Sequence, residues 1–297
     1  MRVLVTGVTS GLGLAVAEAL RAQAVEVWGT GRDPVRLRSV AQRTGLHPVG
    51  LDHRSLRGVS AAATQLPPFD AVVCNAGVQV LSGRTTTDEG LDETVAVNHL
   101  SHLALLDAMR RGGNLPATVV LIGSATHDPE QWTGTPPPDE SGVVAVAHGR
   151  RSEASVRDGL ATYTTTKLMA VAMSQALARE LPDTTVIAFD PGLMLDTRLG
   201  RQHPALLRAM CRSVLRGVRF LPFASTSTVS GRVLAGLVTG SDAVASASYV
   251  DHRRRPLQPS AKALDRDYQA ALLADSRRIV ADVVGRSEES AGDAAGH

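Results

Sequence analysis

The chain has 297 residues, enough for one large domain, and its 31 Lys and Arg nearly balance 29 Asp and Glu, which excludes a broad basic footprint for nucleic acid. Aromatic residues make up 3% of the chain, too few for base-stacking platforms, whereas 43% hydrophobic residues suffice for a buried core. An enzyme or a small-molecule binding domain fits these figures.

The chain opens on MRVLVTGVTSG, a short apolar strand that runs directly into a glycine turn, without the longer apolar region and cleavage site of an export signal. Cys74 and Cys211 have neither metal-ligand nor disulfide-framework spacing, and no run reaches about 18 uncharged apolar residues. A cytoplasmic protein without a transmembrane segment is therefore expected. From VLV at 3–5, short apolar runs alternate with amphipathic ones: a helix from Leu14 to Gln23, a strand VEVW at 25–28, and a helix from Pro34 to Thr44. AVVCN at 71–75, TVVLIG at 118–123 and TTVIAFD at 184–190 carry β-branched residues on both faces, the pattern of parallel strands buried on both sides. Helices are expected between them at 91–110 and 163–181, the second stopped by Pro182. This succession predicts a single α/β domain over 1–284, a doubly wound parallel sheet with helices on both faces and ligands at the carboxyl ends of its strands.

Three stretches interrupt the pattern. Residues 126–159, which include TGTPPPDESG, read as a long excursion. Residues 204–223 alternate Leu, Met and Val with arginines, as a basic amphipathic helix does; it is expected to belong to a substrate lid over about 196–224, with peripheral membrane contact as the alternative. GRSEESAGDAAGH, at 285–297, has nothing to bury and is expected to be a disordered tail.

Several residues carry chemistry. TGVTSGLG at 6–13 lies between the first strand and the first helix, where Gly7, Thr9, Ser10, Gly11, Leu12 and Gly13 would let backbone approach a dinucleotide phosphate at a helix N-terminus; a tight turn without ligand is the alternative. After the second strand, Arg32 stands near the place of the carboxylate that would hold a free ribose 2′-hydroxyl, and a guanidinium suits a 2′-phosphate, so NADP(H) is preferred over NAD(H). Neighbouring Asp33, before Pro34, is read as a helix cap. Tyr163 and Lys167 in LATYTTTK are four apart and share a helix face, so an ammonium would favour the phenolate and suit the tyrosine to acid–base work.

The spacing T-G-x-x-x-G-x-G, the CNAG at 74–77, and Asn98, Ser124, Tyr163 and Lys167 in that order resemble the short-chain dehydrogenase/reductase family, whose fold is of Rossmann type. The resemblance covers residues 1–195 well and runs more loosely to about 255. It implies that Tyr163 exchanges a proton with a substrate oxygen, that Lys167 lowers its pKa and binds the nicotinamide ribose, that Ser124 hydrogen-bonds the same oxygen, and that Asn98 holds a water relaying protons toward the lysine. It further implies that Asn75, Ala76 and Gly77 lie beside the cofactor, that Asp52 and His53 meet the adenine edge, that Pro191 and Gly192 run along the nicotinamide, and that Thr197 touches the carboxamide or the phosphates. For Asp52 a loop-capping carboxylate is the alternative. The long insert THDPEQWTGTPPP between Ser124 and Tyr163 looks like the branch of retinol dehydrogenases and protochlorophyllide reductases. His127 and Trp132 are expected to line the pocket, a solvated or capped group being the alternative for the histidine. Leu193 stands where the light-driven enzyme's motif has cysteine, so only carbonyl chemistry is carried over. The expected function is an NADP(H)-dependent oxidoreductase interconverting a ketone and a secondary alcohol on a fairly large apolar small molecule, with a possible homo-oligomer and no metal. A catalytically silent dinucleotide-binding sensor, or an epimerase or dehydratase on the same fold, is the alternative.

Overall fold

The computed structural model describes residues 1–81, 86–148, 155–194 and 224–294, with residues 286–294 described as backbone only. The strands are β1 Arg2–Val5, β2 Glu26–Gly31, β3 His47–Gly50, β4 Ala71–Cys74, β5 Thr118–Ile122, β6 Thr185–Asp190, β7 Leu193–Met194, β8 Ala224–Ser225 and β9 Tyr249–Asp251. The helices are α1 Gly11–Arg21, α2 Pro34–Thr44, α3 Leu56–Gln65, α4 Glu93–Val95, α5 Ser101–Arg111, α6 Val143–His148, α7 Val156–Glu180, α8 Ser227–Thr239, α9 Ala261–Leu264 and α10 Arg266–Ala294. A π-turn, Ala96–Leu100, joins α4 to α5.

Seven of the strands form one parallel sheet in the order β3-β2-β1-β4-β5-β6-β9. Alternate residues of each strand serve opposite layers. Leu4, Val72, Val119 and Leu121 face a core closed by α3, α5, α7 and α10, and Val3, Val5, Val73 and Val120 face one closed by α1, α2 and α8. This is why the strands read as continuous apolar runs. The order reverses between β1 and β4, and there the connections leave toward opposite faces and open a crevice at the carboxyl ends.

Boundaries differ from expectation for local reasons. Helix α1 begins at Gly11, within the glycine turn. Helix α7 begins well before Tyr163, because Ser155 and Asp158 form a reciprocal capping box. Helical backbone in α10 continues to Ala294. The excursion at 126–159 is anchored on α7: Thr164 Oγ1 donates to the Pro136 carbonyl at 3.1 Å and Asp139 N–H donates to Thr165 Oγ1 at 2.7 Å. The expected lid from 196 to 223, with its basic helix, lies outside the described residues. Among the described residues no helix is long and apolar enough to cross a membrane.

Candidate functional site

Gly7 and Gly11 have φ of +73° and +59°, which side chains rarely adopt. Gly13 is constrained by space instead, since a methyl group there would lie 2.4 Å from both the Gly7 carbonyl oxygen and Asn75 Nδ2. The CNAG segment braces this turn from the side. Asn75 Nδ2 donates to the Thr6 carbonyl at 2.7 Å, and the N–H groups of Asn75 and Ala76 donate to Thr6 Oγ1 at 2.8 Å each. Asn75 is thus a support of the turn, and Gly77 follows it against Asn98.

Side chains cap the N-termini of α2, α3, α7 and α8, supplied by Asp33, Ser55, Ser155 and Thr226. At α1, Ser10 makes no such bond, and no acidic residue occupies the first turn. The N–H groups around Gly11, Leu12 and Gly13 are therefore not consumed by a cap, which fits the pyrophosphate of a dinucleotide. Thr9 packs close to Gly31.

Beneath the turn runs a buried polar chain that sequence reasoning missed. Gly7 N–H donates to Thr30 Oγ1 at 3.0 Å, Thr30 Oγ1 is 3.1 Å from His53 Nε2, His53 Nδ1 is 3.0 Å from Ser101 Oγ, and Ser101 donates to the Val97 carbonyl at 2.9 Å. Because Ser101 spends its proton on Val97, His53 Nδ1–H donates to Ser101 and Nε2 accepts from Thr30. Burial pushes the His53 pKa down to about 4, so the ring is neutral. The His53 imidazole faces inward, where it supports the glycine turn.

At the rim, Asp33 caps α2 as expected, accepting from Val35 and Arg36 N–H. Arg32 is exposed, with Glu93 3.9 Å away. Asp52 is engaged by Arg54, with Nη2–Oδ2 at 2.7 Å and Arg54 N–H to Oδ1 at 3.0 Å. Burial works against the Asp52 charge, but these bonds outweigh it and hold the carboxyl below its ordinary range. The loop-capping alternative for Asp52 matches this geometry, and Arg54 is a second rim guanidinium that the sequence reading did not single out.

The catalytic candidates converge at the ends of β4 and β5. Lys167 Nζ donates to the Ile122 carbonyl at 3.0 Å, and lies 5.3 Å from the centroid of the Tyr163 ring. Gly123 lets this helix approach, since a methyl there would meet Val171 Cγ2 at 3.0 Å. Ser124 follows in extended backbone, and its Oγ accepts from Thr126 N–H at 3.3 Å, leaving its proton to be donated. Asn98, in the π-turn, accepts from Val78 N–H at 2.8 Å and donates to the Val78 carbonyl at 3.0 Å and to Thr166 Oγ1 at 3.1 Å. Its amide ties the loop after β4 to α7 beside Lys167, and its carbonyl lies 3.2 Å from His102 Nδ1. Gly159 makes the same junction possible: a methyl there would sit 2.2 Å from the Val80 carbonyl oxygen.

The electrostatics differ from the expected acidic phenol. Burial, then the negative charge of Asp190, raises the Tyr163 pKa above its ordinary value. Burial brings Lys167 down to about 8, opposed by Asp190. The cost of burying a phenolate thus exceeds any relief from a lysine lying over the ring. Asp190 itself accepts from Gly192 N–H at 2.8 Å, fixing the turn after β6, and the Pro191 carbonyl accepts from Ser230 Oγ at 2.7 Å. Thr197 lies outside the described residues. Trp132 is 96% exposed, whereas His127 is fully buried. A cavity of about 290 Å³ lies among Thr126, Gln131, Trp132, Thr133 and Pro136, and the Thr126 hydroxyl is buried without a partner. No group of three or more His, Cys, Asp or Glu that could hold a metal occurs among the described residues.

The family profile described as short chain dehydrogenase matches residues 1–130. A protein of Streptomyces sp. (strain C5) named "Putative daunorubicin C-13 ketoreductase DnrU" is 34% identical over 212 residues, covering 67% of this chain and 67% of that protein. Protochlorophyllide reductase A of Oryza sativa subsp. japonica is 29% identical over 237 residues, covering 70% of this chain and 61% of that protein. The match therefore spans less than two thirds of the rice enzyme. Among solved structures, an uncharacterised protein from Mycobacterium paratuberculosis superposes with a TM-score of 0.71 at 21% identity, over 94% of this chain and 92% of that one. The sheet order agrees with these similarities, and the chain belongs to the short-chain dehydrogenase/reductase family, on its protochlorophyllide-reductase-like branch.

Proposed function

We propose that this chain is an NADP(H)-dependent oxidoreductase that interconverts a ketone and a secondary alcohol on a fairly large apolar molecule. The observation that carries the reading is the group at the end of β5: Tyr163 and Lys167 on one face of α7, Lys167 held by the Ile122 carbonyl, and Ser124 two residues beyond with its hydroxyl proton undirected by the turn. When bound, the nicotinamide supplies or receives the hydride at the carbonyl carbon. Tyr163, raised in pKa and so protonated near neutral pH, gives its proton to the carbonyl oxygen in reduction and recovers it in oxidation. Ser124 donates to the same oxygen and steadies the charge that develops there. Lys167 is mostly an ammonium at pH 7, and it offers the ribose hydroxyls the protons not given to Ile122.

The α1 N-terminus with Gly7, Gly11 and Gly13 would hold the pyrophosphate, Pro191 and Gly192 would border the nicotinamide, and exposed Arg32 would take the 2′-phosphate. The ketoreductase name of DnrU supports the reaction class. The test is purified protein with NADPH and a panel of polycyclic and aliphatic ketones, followed by nicotinamide absorbance. Tyr163→Phe should lower kcat by about 10²-fold or more while NADPH affinity stays within about 3-fold. Turnover of no ketone by the wild type, or full activity in Tyr163→Phe, would overturn the reading.

A further inference from the structure

Ser124 must present its hydroxyl at a fixed angle, yet it lies at a turn and not within a regular element. What holds that turn is a side chain to which the proposed reaction assigns no role. His127 is fully buried, and its Nδ1 lies 2.8 Å from the Ser124 carbonyl oxygen, which also accepts His127 N–H at 3.1 Å. The other ring nitrogen, Nε2, accepts from Ser260 N–H at 3.0 Å. A carbonyl only accepts and an amide N–H only donates, so the tautomer is fixed: Nδ1 carries the proton and Nε2 is bare. Both polar atoms of the ring are committed, one to Ser124 and one to a residue 133 positions away in sequence.

The ring is also fixed in orientation. Tyr249 of β9 meets it edge-on, with centroids 5.3 Å apart at 88°, and the Tyr249 hydroxyl donates to Asp190 Oδ2 at 3.4 Å. Ser260 is itself buried and caps α9 through its hydroxyl, which accepts from Ala263 N–H at 3.3 Å. His127 therefore stands where the end of β5, the end of β6 through Asp190, and the segment leading into α9 meet.

We propose that His127 is a positioning residue for Ser124, through which the segment at Ser260 sets the place of the serine hydroxyl. The clamp on the Ser124 carbonyl fixes the peptide plane after the serine, and Thr126 N–H, donating to Oγ from within the same turn, fixes the hydroxyl's acceptor side. With that side occupied, the serine proton points away from the turn. Loss of the ring's bond would leave the Ser124 carbonyl held by the His127 backbone N–H alone, loosening the plane and widening the range of hydroxyl directions, while the glycine turn and the Tyr163–Lys167 pair stay in place.

This inference rests on the proposed carbonyl chemistry, and two substitutions separate the two. His127→Phe keeps the ring and its edge contact but removes both hydrogen bonds. His127→Asn places an amide N–H near the position of Nδ1 and restores the bond to Ser124 alone. His127→Phe should lower kcat about 10-fold or more with the KM for NADPH unchanged, consistent with loss of one positioned donor at a developing oxyanion. His127→Asn should recover most of kcat even where its melting temperature stays low. A merely structural histidine would make both variants equally stable or unstable and leave kcat per folded molecule alone. Hydrogen exchange gives a readout without turnover: amides of 122–128 should exchange faster in His127→Phe, and those of 1–14 should not. Wild-type kcat in His127→Phe, equal kcat in the two variants, or unchanged exchange at 122–128 would overturn the proposal. A wild type that turns over no ketone would overturn the functional reading instead, with the exchange result still deciding the clamp.

Discussion

Gly13→Ala tests the glycine turn most directly. The added methyl would lie 2.4 Å from the Gly7 carbonyl oxygen and 2.4 Å from Asn75 Nδ2, where ordinary contact begins at 3.4 Å. The turn or the helix must therefore retreat by about 1 Å, and small-to-large changes in packed sites cost about 1–3 kcal/mol. Asn75 Nδ2 also gives up its bond to the Thr6 carbonyl, adding about 1 kcal/mol. A total of about 3 kcal/mol lowers the melting temperature by about 6–12 °C, at about 2–4 °C per kcal/mol in a chain of this class. Displacement of the α1 N-terminus should weaken NADPH binding about 10-fold, equivalent to about 1.4 kcal/mol. Gly50→Ala is the control: no atom lies within 4 Å of its added methyl, so the melting temperature should move by no more than about 1–2 °C. The assays are thermal unfolding and NADPH titration by fluorescence. Wild-type NADPH affinity in Gly13→Ala, with a melting temperature no lower than that of Gly50→Ala, would refute the argument.

Arg32→Asp should weaken NADPH binding by about 10–100-fold and leave NADH within about 3-fold, since a charge-assisted bond to a phosphate contributes about 1.5–3 kcal/mol; equal losses for both cofactors in parallel titrations would remove Arg32 from the 2′-phosphate. His53 sets a pH dependence of stability. The unfolded chain protonates this ring near its ordinary 6.5, the folded chain only at about 4, so the unfolded state holds more protons between those values and stability falls as pH drops through that window. Chemical denaturation from pH 7 to 4.5 should show this loss, and His53→Gln should reduce the slope by about 1.4 kcal/mol per pH unit in the steepest part; an unchanged slope would mean that His53 is not held neutral.

Much of this architecture was legible before any coordinates. Strands buried on both faces must be apolar throughout, so β1, β4, β5 and β6 announced themselves, and a glycine string set between a strand and a helix can be read from covalent geometry alone. The helix period likewise put Tyr163 and Lys167 on one face. Other features depend on which distant groups meet. Thr164, Thr165 and Thr166, a small polar run in sequence, are fully buried and tie the excursion and Asn98 to α7. His53 looked like a rim residue, yet it turns inward, where its two ring nitrogens bridge the hydroxyls of Thr30 and Ser101, which are far apart in the chain.

The sequence by itself determined the parallel sheet, the turn at its first strand and the sharing of one helix face by Tyr163 and Lys167, since these follow from periodicity and from glycine's freedom of backbone. Tertiary structure alone decided the electrostatics and the supports: Tyr163 rises and Lys167 falls in pKa because burial penalises charge, and burial is a property of the assembled molecule. The same holds for His127, whose role depends on an amide brought to it from the far end of the chain.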